Sequence, residues 1–234
     1  MLHWKRPGAV WAADYAEPPL AVDGHFSRLL AVRDLASGTQ LAWLPVTRES
    51  ARIACDVLVA LFRAHGTPLV LKSDNGPAFI ANRMRRLLAD WRVWHLLSPP
   101  DLPEYNGACE AGIGSMKTRT HHQAARFGRP AEWTCDDAEA ARLEANETAR
   151  PWGYRVPTPE HVWNERRPLT NAERKAFGAA VRRMEREERA NRRIGAATPL
   201  GRAAQTALNR AALSRALVAL GVLQFTSKRV STPI

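Results

Sequence analysis

Over the first hundred residues apolar positions gather in short alternating runs, and beyond them they fall mostly at helical spacing. Residues 13–15 after Trp11 read as a strand. The run Leu29-Leu30-Ala31-Val32 after the Gly24 turn reads as a second, and QLAWLPV after Ser37-Gly38 as a third. Three strands on short turns predict an antiparallel meander. From Glu49 onward Ala54, Val57, Leu58, Leu61 and Phe62 form one helical stripe, with Thr47 as the expected N-cap and Gly66 and Pro68 as the stop. PLVLKSD then predicts a fourth strand ending at Asp-Asn-Gly. Residues 78–91 predict a helix, with Met84, Leu87, Leu88 and Trp91 inward and Arg83, Arg85 and Arg86 outward; VWHLLS predicts a fifth strand. Further helices are expected at 104–126, 136–150, 171–193 and 204–220. The Pro-rich stretch 151–169, with Trp152 and Trp163, reads as an extended connector folding back on the core, and the last dozen residues as a loose end. The expected fold class is α/β: a mixed five-stranded sheet flanked by helices, with a basic helical C-terminal tail.

Composition narrows the class. Hydrophobic residues are 45% and charged residues 24% of 234, ordinary for a globular protein. No apolar run is long enough to span a bilayer, and the opening MLHWKRPGAVWAAD has no signal-peptide core. The expectation is a cytoplasmic protein with no membrane partner. Cys55, Cys109 and Cys135 are odd in number and far apart, so they read as packed thiols rather than a disulfide framework or zinc site.

Charge becomes informative once it is located. Residues 1–164 hold 19 Lys and Arg against 18 Asp and Glu, whereas residues 165–234 hold 15 against 5. Nearly all of the +11 net charge therefore lies in the last third. A basic segment beside a balanced one is what contact with nucleic acid requires, since neutralised phosphates release counterions; a solvated basic helix is the plain alternative.

Three acids stand where elements meet loops: Asp14 in the first strand, Asp74 at the end of the fourth, and Glu110 near the start of a helix. Taken singly each has an ordinary explanation. Asp74-Asn75-Gly76 is a turn signal, Glu110 suits a helix N-terminus, and Asp14 would pass as an edge-strand surface residue. Together, three converging carboxylates repel unless a cation compensates them. Hard oxygen donors favour Mg²⁺ or Mn²⁺, and two such ions can clamp a phosphodiester undergoing in-line displacement.

There are 35 residues between Asp74 and Glu110. On that spacing, and on WAADYAE, LLAVRDLASG, HGTPLVLKSDNGPAF and SPPDLPEYNGACEAGIGSMK, the chain resembles the ribonuclease H-like catalytic core of the DDE transposases and retroviral-type integrases. Bacterial insertion-sequence transposases are the nearest likeness. The resemblance covers about residues 11–165, giving an expected core at 1–165 and a basic helical tail at 166–234. It implies that Asp14, Asp74 and Glu110 are catalytic and hold the metal, two Mg²⁺ or Mn²⁺ ions. It implies phosphodiester hydrolysis and strand transfer at element ends, with DNA as partner and a homo-oligomer to join two ends. Asp34, with only 39 residues between it and Asp74, competes for the first position; Asp14, with 59 between, fits the family better. By the same resemblance Asn75, Tyr105, Asn106, Gly107, Lys117 and Arg119 face DNA, with His121 and His122 as extensions of that grip. Gly76 is expected to supply a positive φ beside Asp74.

Two departures qualify the likeness. The family usually carries a DNA-recognition module ahead of the core, and none precedes Asp14 in these residues, so such a module is expected to be lost or supplied by another chain. Gly114 stands one turn after Glu110, where the family often has a basic residue. The rival readings are a ribonuclease H-like nuclease without strand transfer, and a catalytically dead transposase remnant that only binds DNA.

Overall fold

The computed structural model describes residues 2–99 and 107–226, which fall into two compact units: residues 7–169, and a second unit built from 2–6 with 170–226. β1 (Leu2–Trp4) belongs to the second unit.

In the larger unit β2 (Val10–Ala16), β3 (Arg28–Asp34) and β4 (Gln40–Val46) form the expected antiparallel meander. β5 (Val70–Ser73) and β6 (Trp94–Leu97) add in parallel on the other side of β2, giving the order β4-β3-β2-β5-β6. β2 is thus the central strand, and the mixed five-stranded sheet is as the sequence predicts. α1 (Ala51–His65) crosses from β4 to β5. Its N-cap is Ser50, not Thr47, because the Ser50 hydroxyl accepts the Arg52 N–H at 3.2 Å. Gly66 ends it at φ +80°, a left-handed conformation that costs glycine little. The expected helix at 78–91 is two pieces, α2 (Pro77–Ile80) and α3 (Asn82–Asp90), broken at Ala81, whose extended φ/ψ leaves the helical region.

Strand alternation assigns the two faces. Trp11 and Ala13 of β2, with Leu30 and Val32 of β3, pack against Leu58 and Phe62 of α1 and Met84 and Leu88 of α3. Ala16, Leu29 and Ala31 face the opposite way. They pack with Met116 and Ala124 of α4 (Gly107–Arg126) and Ala138, Ala141 and Ala145 of α5 (Cys135–Thr148). α5 begins with a capping box, the Thr134 hydroxyl accepting the Asp137 N–H while Asp137 accepts from Thr134. Inside the expected connector lies α6 (Pro159–Asn164), capped by Thr158, with Pro at its first turn and Trp163 driven into the α1 face of the core. The three cysteines are free, two of them buried.

The smaller unit is a helical hairpin, α7 (Asn171–Asn191) against α8 (Arg202–Ala219), with β1 pairing antiparallel to β7 (Leu223–Phe225). Phe177, Val181 and Met184 of α7, and Leu208, Leu213 and Leu217 of α8, are its buried residues. Two acids of α7 reach α8: Arg215 donates to Glu187 at 2.6 Å and to Glu188 at 3.0 Å. Among the described residues no helix is long and apolar enough to cross a membrane.

Candidate active site

The central strand and its parallel neighbour set the site. Val10, Trp11 and Ala12 stand opposite Val70, Leu71 and Lys72, an offset of 60 residues in the chain. Carried two residues on, that offset puts Asp14 level with Asp74, where β5 has just given way to the turn before α2. Asp14 pairs across β3 with Ala31, so alternation directs it to the face covered by α4 and α5. Glu110 lies in the first turn of α4 and is exposed.

Each aspartate is held by the backbone beside it. Asp14 Oδ1 accepts the Tyr15 N–H at 2.8 Å, and Asp74 Oδ1 accepts the Gly76 N–H at 3.0 Å. Gly76 has φ −58°, so it does not supply the positive φ that the turn signal predicts. Its service is space: a Cβ there would stand 3.0 and 3.1 Å from the two Asp74 carboxylate oxygens. The Asn75 side chain donates to the Ser98 carbonyl at 2.8 Å, which ties the turn to the end of β6.

Asp14 lies within the electrostatic reach of the other two acids. Burial, reinforced by the Asp74 charge, pushes the Asp14 carboxyl up to about 6; the Tyr15 N–H and Lys72 oppose the rise, and Glu110 adds to it. Among the described residues no three His, Cys, Asp or Glu side chains stand close enough together to hold a metal as they are. The donor chemistry of the proposed set, hard oxygens with a partly buried Asp14, suits a magnesium-class ion.

Sequence reasoning passed over the neighbours of this trio. Lys72, two residues before Asp74, is only 2% exposed and donates from Nζ to Ser98 Oγ at 3.2 Å. Burial lowers the pKa of its ammonium, while Cys109, Asp14, Glu110 and Asp74 hold it up. The Cys109 thiol is pushed up to about 12, by burial first and then by Asp14, so it stays protonated. Arg33 reaches from β3 to α4, where its guanidinium fills the space that a Cβ on Gly112 would need. The signal for Lys72 was present: it shares a strand face with Asp74 at a spacing of two.

The remaining expected residues divide. Asp34 is fully buried at the other end of the meander, accepting from the Gly8 N–H at 2.8 Å and from the Ser37 N–H and hydroxyl at 2.7 Å each. Lys117 follows Glu110 on α4 and is half-buried. Arg119, expected on the DNA side, donates to Glu144 of α5 at 2.9 Å and to Thr148 at 3.4 Å. His121 and His122 are exposed and Gly107 opens α4, whereas Tyr105 and Asn106 lie outside the described residues.

Known proteins resemble this chain in sequence and in fold. Residues 5–103 match the family described as integrase core domain. The Intracisternal A-particle Pol-related polyprotein of mouse intracisternal A-particle MIA14 is 30% identical over 113 residues, 48% of this chain and 13% of the polyprotein. The Gag-Pol polyprotein of feline leukemia virus is 40% identical over 78 residues, 33% of this chain and 4% of its own length. The chain thus spans a small part of the curated relatives it matches. Among solved structures, the HTLV-2 integrase catalytic core domain in complex with magnesium has a TM-score of 0.54 at 18% identity, covering 67% of this chain and 97% of that one. The simian T-cell lymphotropic virus intasome gives 0.62 at 19% identity, covering 72% of this chain and 58% of that one. At such identities the structures speak for the fold. Residues 5–103 are thus similar to the integrase core domain, and the chain shares the fold of the retroviral integrase catalytic cores.

Proposed function

We propose that the chain is a DNA strand-transfer enzyme whose catalytic carboxylates are Asp14, Asp74 and Glu110. What supports the reading is the β2–β5 register, which if extended two residues brings Asp74, just past the end of β5, level with Asp14, together with the effect of the Asp74 and Glu110 charges on Asp14. Magnesium or manganese held by the three carboxylates would supply Lewis-acid polarisation of the scissile phosphodiester.

The chain's own residues supply position. Asp14 and Asp74 are oriented by the Tyr15 and Gly76 N–H groups, and Glu110 comes from the first turn of a 20-residue helix. Lys117 is about two turns beyond Glu110 on the same side of α4, placing a cation where the phosphates flanking the reacting one would run. In the first reaction water attacks phosphorus, the bond to the 3′ oxygen breaks, and that oxygen leaves as a hydroxyl. In the second, this 3′-hydroxyl attacks a target phosphodiester; one P–O bond forms as another breaks, so no external energy source is consumed.

The DNA partner is supported by α7. Glu187 and Glu188 pair with Arg215 of α8, while Lys175, Arg182 and Arg186 are exposed along one side, spaced seven and four residues apart. Joining two DNA ends calls for two active sites, so a homo-oligomer belongs to the same proposal.

The test uses the full chain with Mn²⁺, supercoiled plasmid and a labelled duplex carrying a free 3′-hydroxyl, scoring both nicking and joining. Asp74→Asn and Glu110→Gln are expected to lower both by at least about a thousandfold, as loss of a charge-stabilising group at such a centre does. Nicking without joining would favour a nuclease. Activity surviving Asp74→Asn would end the proposal, and DNA binding with neither activity would leave a binding-only protein.

A further inference from the structure

We propose that Arg33 is a positioning residue for Glu110: its guanidinium, seated against Gly38 and Gly112, sets where α4 rests on the sheet and so where its first turn stands. This rests on the catalytic role proposed above for Asp14, Asp74 and Glu110.

The strands place Arg33. In the β2–β3 register it stands opposite Ala12, two residues before Asp14, so alternation directs it to the face that α4 covers. The β3–β4 register shifts between Val32 and Arg33, and an irregularity of that kind re-aims the side chain beside it.

Two glycines then receive the guanidinium. A Cβ on Gly112 would overlap Nη1 and stand 3.1 Å from Cδ, and a Cβ on Gly38 would stand 3.1 Å from Nη2. Gly38 is at φ +77°, so its turn calls for glycine in any case. Gly112 lies inside α4 without a positive φ, where alanine is the better helix former. Room for the guanidinium is the structural reason for a glycine there. Arg33 thus joins β3, the turn before β4 and α4 at one point. Glu110 is two residues earlier on that helix, and the buried Cys109 beside it lies within reach of the Arg33 charge. Because Gly38 backs the guanidinium, a methyl added at 112 is taken up by α4, and Glu110 moves relative to Asp14.

The test reads helix seating and chemistry separately in the full chain. Alkylation of Cys109 in EDTA, with peptide mass spectrometry to separate it from Cys55 and Cys135, reports how firmly the first turn of α4 is seated. Gly112→Ala and Arg33→Ala are each expected to speed it about tenfold or more, as an overpacked or vacated contact does. The double variant should be no faster than the faster single one, because both remove the same contact. Gly114→Ala, whose added methyl would meet nothing within 4 Å, should leave Cys109 as slow as in the wild type. With Mn²⁺ and saturating DNA, the joining rate per folded molecule is expected to fall about a hundredfold in the Gly112 and Arg33 variants, with DNA affinity unchanged. Arg33→Lys, which keeps the charge but not the planar group, should give an intermediate loss. Urea titration supplies the folded fraction. An arginine that only packed the core would lower that fraction without changing the rate per folded molecule. Unchanged Cys109 reactivity in Gly112→Ala and Arg33→Ala overturns the proposal, as does faster alkylation with an unchanged joining rate. If Asp74→Asn leaves joining intact, the strand-transfer reading fails and the positioning role falls with it. If Asp74→Asn abolishes joining while the Arg33 and Gly112 variants keep it, only the positioning role is refuted.

Discussion

Replacing Asp14 by Asn should make the metal-free protein more stable at neutral pH, although it removes a proposed catalytic group. The Asp14 carboxyl is pushed from 3.8 to about 6, by burial first and then by Asp74. A shift of about 2 units corresponds to about 3 kcal/mol between the ionised and neutral forms. Because the folded chain holds its proton more tightly than the unfolded chain, stability falls as pH rises from about 4 to 6, and the full penalty persists above that range. Asn keeps an oxygen for the Tyr15 N–H, which Asp14 now accepts at 2.8 Å, and carries no charge. Urea denaturation in EDTA is therefore expected to favour Asp14→Asn by about 2–3 kcal/mol at pH 8, with the difference vanishing below about pH 4. Saturating Mn²⁺ should reverse the order, because only the wild type keeps the full ligand set and ligand binding stabilises the folded state. A variant no more stable than wild type at pH 8 in EDTA would refute the electrostatic account of the site.

Three other consequences can be measured separately. His95 is held down to about 4, by burial first and then by Arg85, and its Nε2 lies 2.9 Å from Ser73 Oγ. Its folded pKa is below the ordinary 6.5, so stability should decline by about 3 kcal/mol as pH falls from 6.5 to 4, and His95→Gln should flatten that part of the denaturation profile. Asp34→Ala strips acceptors from the Gly8 and Ser37 N–H groups and should cost about 3 kcal/mol or more in urea titrations. It should leave Mn²⁺ affinity unchanged, and a lost metal site would instead move Asp34 into the ligand set. Changing Lys175, Arg182 and Arg186 together to Gln should reduce the slope of log K for duplex DNA against log salt by about 2.7, the share of three phosphate contacts. An unchanged slope would remove that side of α7 from the DNA surface.

The meander, the two parallel additions and the long helices were legible because each carries its own periodicity. What escaped lacks a local signal. β1 and β7 are three residues each, and Leu2 pairs with Phe225 across almost the whole chain, a pairing no window of sequence contains. α6 was hidden by a Pro-rich context, although Thr158 followed by Pro159 is itself a helix-start pattern. Gly76 was read for conformational freedom when its role is room for a carboxylate.

The acids stood out through their spacing, yet spacing along a chain says nothing of which face a side chain takes. That is decided by the pairing of β2 with β5, strands 60 residues apart. The observed register pairs Ala12 with Lys72, and its extension by two residues sets Asp14 level with Asp74. A slip of one residue would send one aspartate to the face packed by α1 and α3, where Trp11, Ala13 and Leu71 now lie. The apolar residues that alternate with Asp14, Lys72 and Asp74 therefore do more than fill the core. By fixing that register, they bring three charged side chains from two distant segments onto one surface.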